Sequence, residues 1–168
     1  GYLTTFGYEK EMSQWAVQIA ADLKKWDTAW TIHNQATVNV TEPKALENHL
    51  LLGVELGEMS KDEKLVKTAQ DEYLNKSVTK TKYWEVYYQQ AYAGYEKAAD
   101  ETFLVSLEKI VTAKDAPVDL RIKSGDLYLD YLASKKRDSD IEISAKNFHQ
   151  KMNGVKSYTG EWGKIAEK

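Results

Sequence analysis

The chain has 168 residues, 42% apolar and 29% charged, and carries a net charge of −3 from 23 basic and 26 acidic side chains. It has no cysteine, which excludes disulfides, zinc–thiolate and iron–sulfur centres and thiol nucleophiles. No apolar run reaches the ~18 residues of a membrane span, and the well-mixed charge lacks the basic stripe of a nucleic-acid binder.

A chain of this size buries enough surface to fold without a metal or disulfide. With two prolines and no proline- or serine-rich linker, the expected organisation is a single helical-bundle domain over 1–168. The chain begins at Gly1 rather than Met, so an upstream segment is expected, with room there for a signal peptide, a lipid anchor or a membrane helix. Only Arg121 and Arg137 are arginine among the 23 basic residues. That lysine bias and the missing cysteine suit an extracytoplasmic protein, surface-anchored in a Gram-positive bacterium.

Residues 1–5 read as a lead-in. From about Phe6, Met12, Trp15, Ile19, Leu23, Trp26, Trp30 and His33 recur every three or four positions, which predicts one long helix over about 6–34. Ala16 and Ala20 widen its apolar stripe. Asn34–Thr41 reads as a loop, and Glu42-Pro43 opens a second helix, since proline suits a first turn. That helix, to about Glu58, carries Leu46, Leu50, Leu51, Leu52, Val54 and Leu56 and is expected to be covered on two sides. Gly53 and Gly57 permit a close helix contact there, or Gly57 stops the helix.

Ser60-Lys61-Asp62-Glu63 fits a capping box ahead of a third helix, which fades near 75–79. Next, Trp84, Tyr88, Ala91, Tyr95, Ala99, Phe103, Leu107 and Ile110 form an unbroken 3–4 stripe and predict a second long helix over 82–113, with Gly94 as a bend. Asp115-Ala116-Pro117 ends it. Leu120, Leu127, Tyr128, Tyr131 and Leu132 mark the next helix, with Gly125 interrupting the face. Lys135-Lys136-Arg137 complement the dipole at its end. A second capping box at Ser139–Glu142 starts a helix through Phe148 and Met152, and 154–168 reads as a loosely structured tail in which Trp162 is a pin. Shifting the chain by 69 residues aligns Trp15 with Trp84 and Trp26 with Tyr95, no more than two amphipathic helices share by chance. The expected fold is all-α, an elongated bundle of five or six helices with two long ones.

Three histidines are the first suspects for chemistry. A hairpin of the first two helices would bring His33 and His49 together, near Glu47 or Glu55, a geometry open to a two-histidine metal site. No H-x-x-x-H or E-x-x-H pair supports one, so no metal or cofactor is expected. Asp138, Asp140 and Glu142 alternate like a calcium loop, but Ile143 stands where the turn glycine belongs. No nucleophile elbow, phosphate loop or dinucleotide fingerprint occurs, and the expectation is a non-enzyme.

The unusual feature is aromatic: five Trp and eleven Tyr against three Phe. Tyrosine suits surfaces that are dry at one end and wet at the other. Tyr83, Tyr87 and Tyr92, which fall off the core stripe, together with Trp26 and Trp30, are the candidate binding residues. The leading expectation is an extracytoplasmic binding or scaffolding module recognising a protein or surface component. The alternative is a small-molecule sensor with a ligand cleft between helices.

Overall fold

The computed structural model describes residues 8–167, with side chains from Ser13 onward. The lead-in, the helix start at Phe6 and the Met12 side chain lie outside the described residues. All regular structure among the described residues is helical: α1 Tyr8–Asp22, α2 Trp26–Val38, α3 Pro43–Ser60, α4 Glu63–Lys76, α5 Tyr83–Lys97, α6 Thr102–Thr112, α7 Val118–Ser134, α8 Asp138–Met152 and α9 Glu161–Ala166. The chain, expected as one domain, divides into two compact units between Tyr83 and Trp84.

The two expected long helices do not form, because each breaks in its middle. After Asp22 the chain closes a Schellman motif, with Lys24 left-handed at φ 55°. Lys25 N–H donates to Ala20 O and Lys24 N–H to Ala21 O, each at 2.8 Å, which satisfies the last carbonyls of α1. In the other rod Ala98 turns left-handed at φ 45°. The Asp100 carboxylate then accepts from Thr102 N–H at 2.9 Å and starts α6. Four loop residues advance the phase by about one turn, so the 3.6 period runs through the break. Ala99, a member of the expected stripe, is exposed, while Phe103, Leu104 and Leu107 of α6 pack on Ala91 of α5.

Other boundaries shift for local reasons. Residues 34–38, expected as loop, continue α2. Glu42 caps α3 as anticipated, its carboxylate accepting from Lys44 and Ala45 N–H. At the next junction Ser60 ends α3, and Asp62 rather than Ser60 caps α4, accepting from Lys64 N–H at 2.9 Å. The Ser139 box is not used either: α8 begins two residues earlier, with Arg137 rather than Ser139 at the cap position. Arg137 pairs with Asp140 at 2.6 Å and with Glu101 at 3.0 Å rather than only facing the end of α7. Residues 154–168, read as a loose tail, contain α9 and the fully buried Trp162.

In the first unit α3 is the axis, packing against α2 on one side and α4 on the other. A Cβ at Gly53 would stand 2.8 Å from His33 Nε2, and one at Gly57 would stand 3.0 Å from Val66 Cα. Both glycines serve close helix contact, and neither ends the helix. In the second unit α6, α7 and α8 pack together and α9 lies on α8. Gly125, which seemed to interrupt α7, is the seat of Trp162, whose ring stands 2.3 Å from the place of a Cβ. Its indole N–H donates to Asp126 at 2.8 Å. The helices of the second unit open at Tyr83, Thr102, Val118 and Asp138, following Tyr8, Trp26, Pro43 and Glu63 by 75, 76, 75 and 75 residues. The two units thus share helix order and spacing, a correspondence invisible at an offset of 69.

One buried carboxylate closes the first unit. Glu47, 4% exposed, accepts from Tyr73 Oη at 2.8 Å, from Thr81 N–H and Oγ1 at 2.7 Å each, and from Thr79 Oγ1. Tyr73 Oη in turn accepts from Lys82 N–H at 2.8 Å. Burial by itself raises the pKa of Glu47, but these donors outweigh it and hold the carboxyl at about 2, below its ordinary 4.5. Its contribution to stability is therefore complete above pH 4.5 and is lost as pH falls through about 2. Glu47→Gln, which turns an amide N–H₂ toward donors, is expected to cost about 2–3 kcal/mol at pH 7 and to flatten acid unfolding between pH 4.5 and 2. Urea melts across that range check both.

Candidate functional site

Helices α1, α2 and α3 line a cavity of about 330 Å³ that is open to solvent on one side, within the ~300–1,000 Å³ usual for small-molecule sites. Val17 and Ala21 of α1, Ala36 of α2, and Leu52, Leu56 and Met59 of α3 give it apolar walls. Ser13, Gln14 and Gln18 line it from α1 and Glu55 from α3. His33 and His49, 6% and 3% exposed, also line it. Their rings stack with centroids 6.0 Å apart and planes at 23°, and Trp30 continues the stack at 5.7 Å from His33.

This stack exists because Gly53 lets the His33 ring lie against the α3 backbone. Burial, and secondarily the neighbouring His49, pull the pKa of His33 down to about 4. At neutral pH its imidazole is uncharged and can both donate and accept a hydrogen bond. The expected approach of the two histidines is thus present, and Glu55 lines the same cavity. Glu47, the other expected neighbour, is engaged in the clamp with Tyr73 and the threonines. Among the described residues no group of three or more potential ligands is placed to hold a metal ion. Asp138, Asp140 and Glu142 lie in the opening turns of α8.

The five candidate binding residues are divided between the units, Trp26, Trp30 and Tyr83 in the first and Tyr87 and Tyr92 in the second. Trp26 and Trp30 are half-buried against Ala20, Ala21, Ala29 and Leu56 of the first unit. Tyr83 is half-buried, with the Lys80 ammonium 5.3 Å from its ring. Tyr87 packs on the cluster of Ile110, Ala116 and Leu120, beneath Lys109 at 4.8 Å and edge-on to Trp84. Tyr92 is the exposed one of the three tyrosines, at 40%. It stacks between Tyr88 and Tyr95, at 6.2 and 6.0 Å. Tyr87 and Tyr92 are five residues apart on a helix, about 140° around its axis, which is why one surface cannot hold both.

The stripe expected to bury α1 faces water instead. Trp15, Ile19 and Leu23 are 72%, 55% and 61% exposed and stand one helical turn apart on a single ridge. The buried side of α1 is its alanine side, Ala20 and Ala21, which meets α2 closely. The sequence signal for this was the alanine face itself: small residues let two helices approach, and bulky ones at these positions would hold them apart. Comparison with protein-family models, with curated proteins and with solved structures finds no match.

The depressed pKa of His33 has a measurable consequence. Between about pH 6.5 and 4 the unfolded chain binds a proton that the folded protein refuses, so stability is full above 6.5 and falls as pH drops through that window. The loss is at most on the order of 3 kcal/mol. Chemical denaturation at pH 7.5, 5.5 and 4.5 is expected to show this decline while the Glu47 contribution is still in place. A flat profile there would mean that His33 is not held neutral by its surroundings.

Proposed function

We propose that the protein is a non-enzymatic binding module that recognises a protein or surface component through the exposed ridge of α1. The observation that carries this is the alignment of Trp15, Ile19 and Leu23, three large apolar side chains more than half exposed on successive turns. Contiguous apolar surface of this kind marks interaction sites, and tryptophan at its end is the residue type that most often dominates binding energy. The reading keeps the aromatic helical face expected from the sequence but moves its centre from Tyr87 to Trp15, with Tyr92 as a separate exposed ring. An extracytoplasmic setting is part of the proposal; the lysine-biased, cysteine-free composition supports it.

Replacing Trp15 and Leu23 together by serine is expected to abolish most partner or cell-surface retention in a pull-down. Such exposed changes typically move stability by no more than about 0.5 kcal/mol each, so the melting temperature stays nearly unchanged. Retention equal to wild type, with the fold intact, overturns the ridge as the contact surface.

A second reading, that the module senses a small molecule, is favoured by the cavity above the stacked histidines. Ala36→Leu fills that cavity from the α2 side. A thermal-shift screen of metabolites is expected to yield ligands that raise the melting point of the wild type and leave the A36L variant unmoved. Shifts of equal size in both proteins place the ligands elsewhere.

A further inference from the structure

We propose that the cavity of the first unit takes a small organic amine, a protonated ammonium on a compact apolar body, with the Glu55 carboxylate as its counter-ion. The inference rests on the small-molecule reading and adds the chemical class of the ligand.

Charge complementarity carries it. Among the described residues Glu55 is the sole carboxylate lining the cavity, and neither lysine nor arginine lines it. No ion pair joins Glu55 to another described residue. His33 is neutral at physiological pH and supplies no cation to an incoming anion. A carboxylate or phosphate entering here would meet the like charge of Glu55, and like charges brought together are disfavoured. A neutral apolar molecule would fit the walls but gain nothing from the Glu55 carboxylate, which is exposed to water. A monocation satisfies both requirements at once.

Size and polarity narrow the class. At about 330 Å³ the cavity stands at the small end of small-molecule sites, a size for one compact ring or short branched chain. Leu52, Leu56 and Met59 of α3 face such a body, and Met is an adaptable partner for rings. Ser13, Gln14 and Gln18 on α1 offer side-chain oxygens that can accept from ammonium N–H groups. A sugar would demand polar partners on every side, whereas Leu52, Leu56 and Met59 make most of the α3 wall apolar beside His49 and Glu55.

The test compares three molecules of one shape: phenethylamine, 2-phenylethanol and phenylacetate. Each is titrated into the intact chain at pH 7.5 and followed by NMR at the ring protons of His33 and His49. The amine is expected to bind about fivefold more tightly than the alcohol, the factor an exposed ion pair supplies at its upper end, and the acid most weakly. Glu55→Gln, a substitution at an exposed position, is expected to erase the advantage of the amine and leave the alcohol unchanged; 0.5 M salt should shrink it in the wild type. Equal binding of amine and alcohol, or preference for the acid, overturns the amine assignment while the shifted histidine signals uphold the cavity as a ligand site. Histidine signals unmoved by all three molecules overturn the assignment as well, and the A36L screen then decides separately whether the cavity binds anything.

Discussion

His33 lies where residue 53 would carry a side chain, and the first unit is arranged around that contact. With glycine at 53 the ring reaches the α3 backbone, α2 and α3 draw together, and His49 meets His33 face to face. The space left above the two imidazoles, once α1 covers them, is the cavity. The same device recurs along the chain. Gly57 admits the backbone of α4 at Val66, Gly94 accepts Phe103, and Gly125 accepts the six-membered ring of Trp162. In each case the missing side chain of one helix is filled by a neighbour, which is how interiors reach close packing without voids.

Buried charge secures the ends of the elements in both units, with opposite signs. Glu47 and Arg121 each stand four residues after the proline that precedes or opens their helix, and both are 4% exposed. Glu47 gathers hydroxyl and amide donors from Tyr73 and from the loop at 79–81. Arg121 works in reverse, donating from Nε to Val111 O at 2.8 Å and from Nη2 to Lys151 O at 3.3 Å. Those carbonyls belong to the last turns of α6 and α8, where acceptors lack helical partners and the helix dipole favours a cation. The planar guanidinium reaches two helix ends at once, which an ammonium does less well. The other arginine, Arg137, bridges Glu101 and Asp140. In a chain that otherwise uses lysine, both arginines occupy positions where a fork of donors is needed.

Helix α1 joins these structural facts to the proposed activities. One side of it, Ser13, Gln14, Val17, Gln18 and Ala21, closes the cavity. Another, Trp15, Ile19 and Leu23, stands in water. A ligand in the cavity and a partner on the ridge would therefore touch the same helix. Its alanine face, Ala20 and Ala21, is the side that packs on α2. The His33 imidazole beneath it is neutral at physiological pH.

The amino-acid order alone determined the class and much of the segmentation. Helical periodicity was strong enough to give an all-α chain, and Glu42-Pro43, the weak stretch at 75–79 and Ala116-Pro117 marked three real boundaries because proline and poor helix formers act locally. The approach of His33 to His49, the double-sided burial of α3 and the pinning role of Trp162 were also legible, since they follow from facing stripes. Tertiary structure decided the rest. The breaks at 23–25 and 98–101 were hidden because Lys24 and Ala98 take the left-handed turn usually signalled by glycine, and because at 98–101 four loop residues hold the phase of the stripe. The close contact at Gly53 and Gly57 was one of the readings open from the sequence, whereas Gly94 and Gly125, which read as a bend and an interruption, proved to be seats for Phe103 and Trp162. Whether Trp15 or Ala20 faces inward depends on how near α2 can come. A period of three and four cannot tell these cases apart, because it fixes the angle between side chains on a helix and leaves open which of those angles another helix will cover.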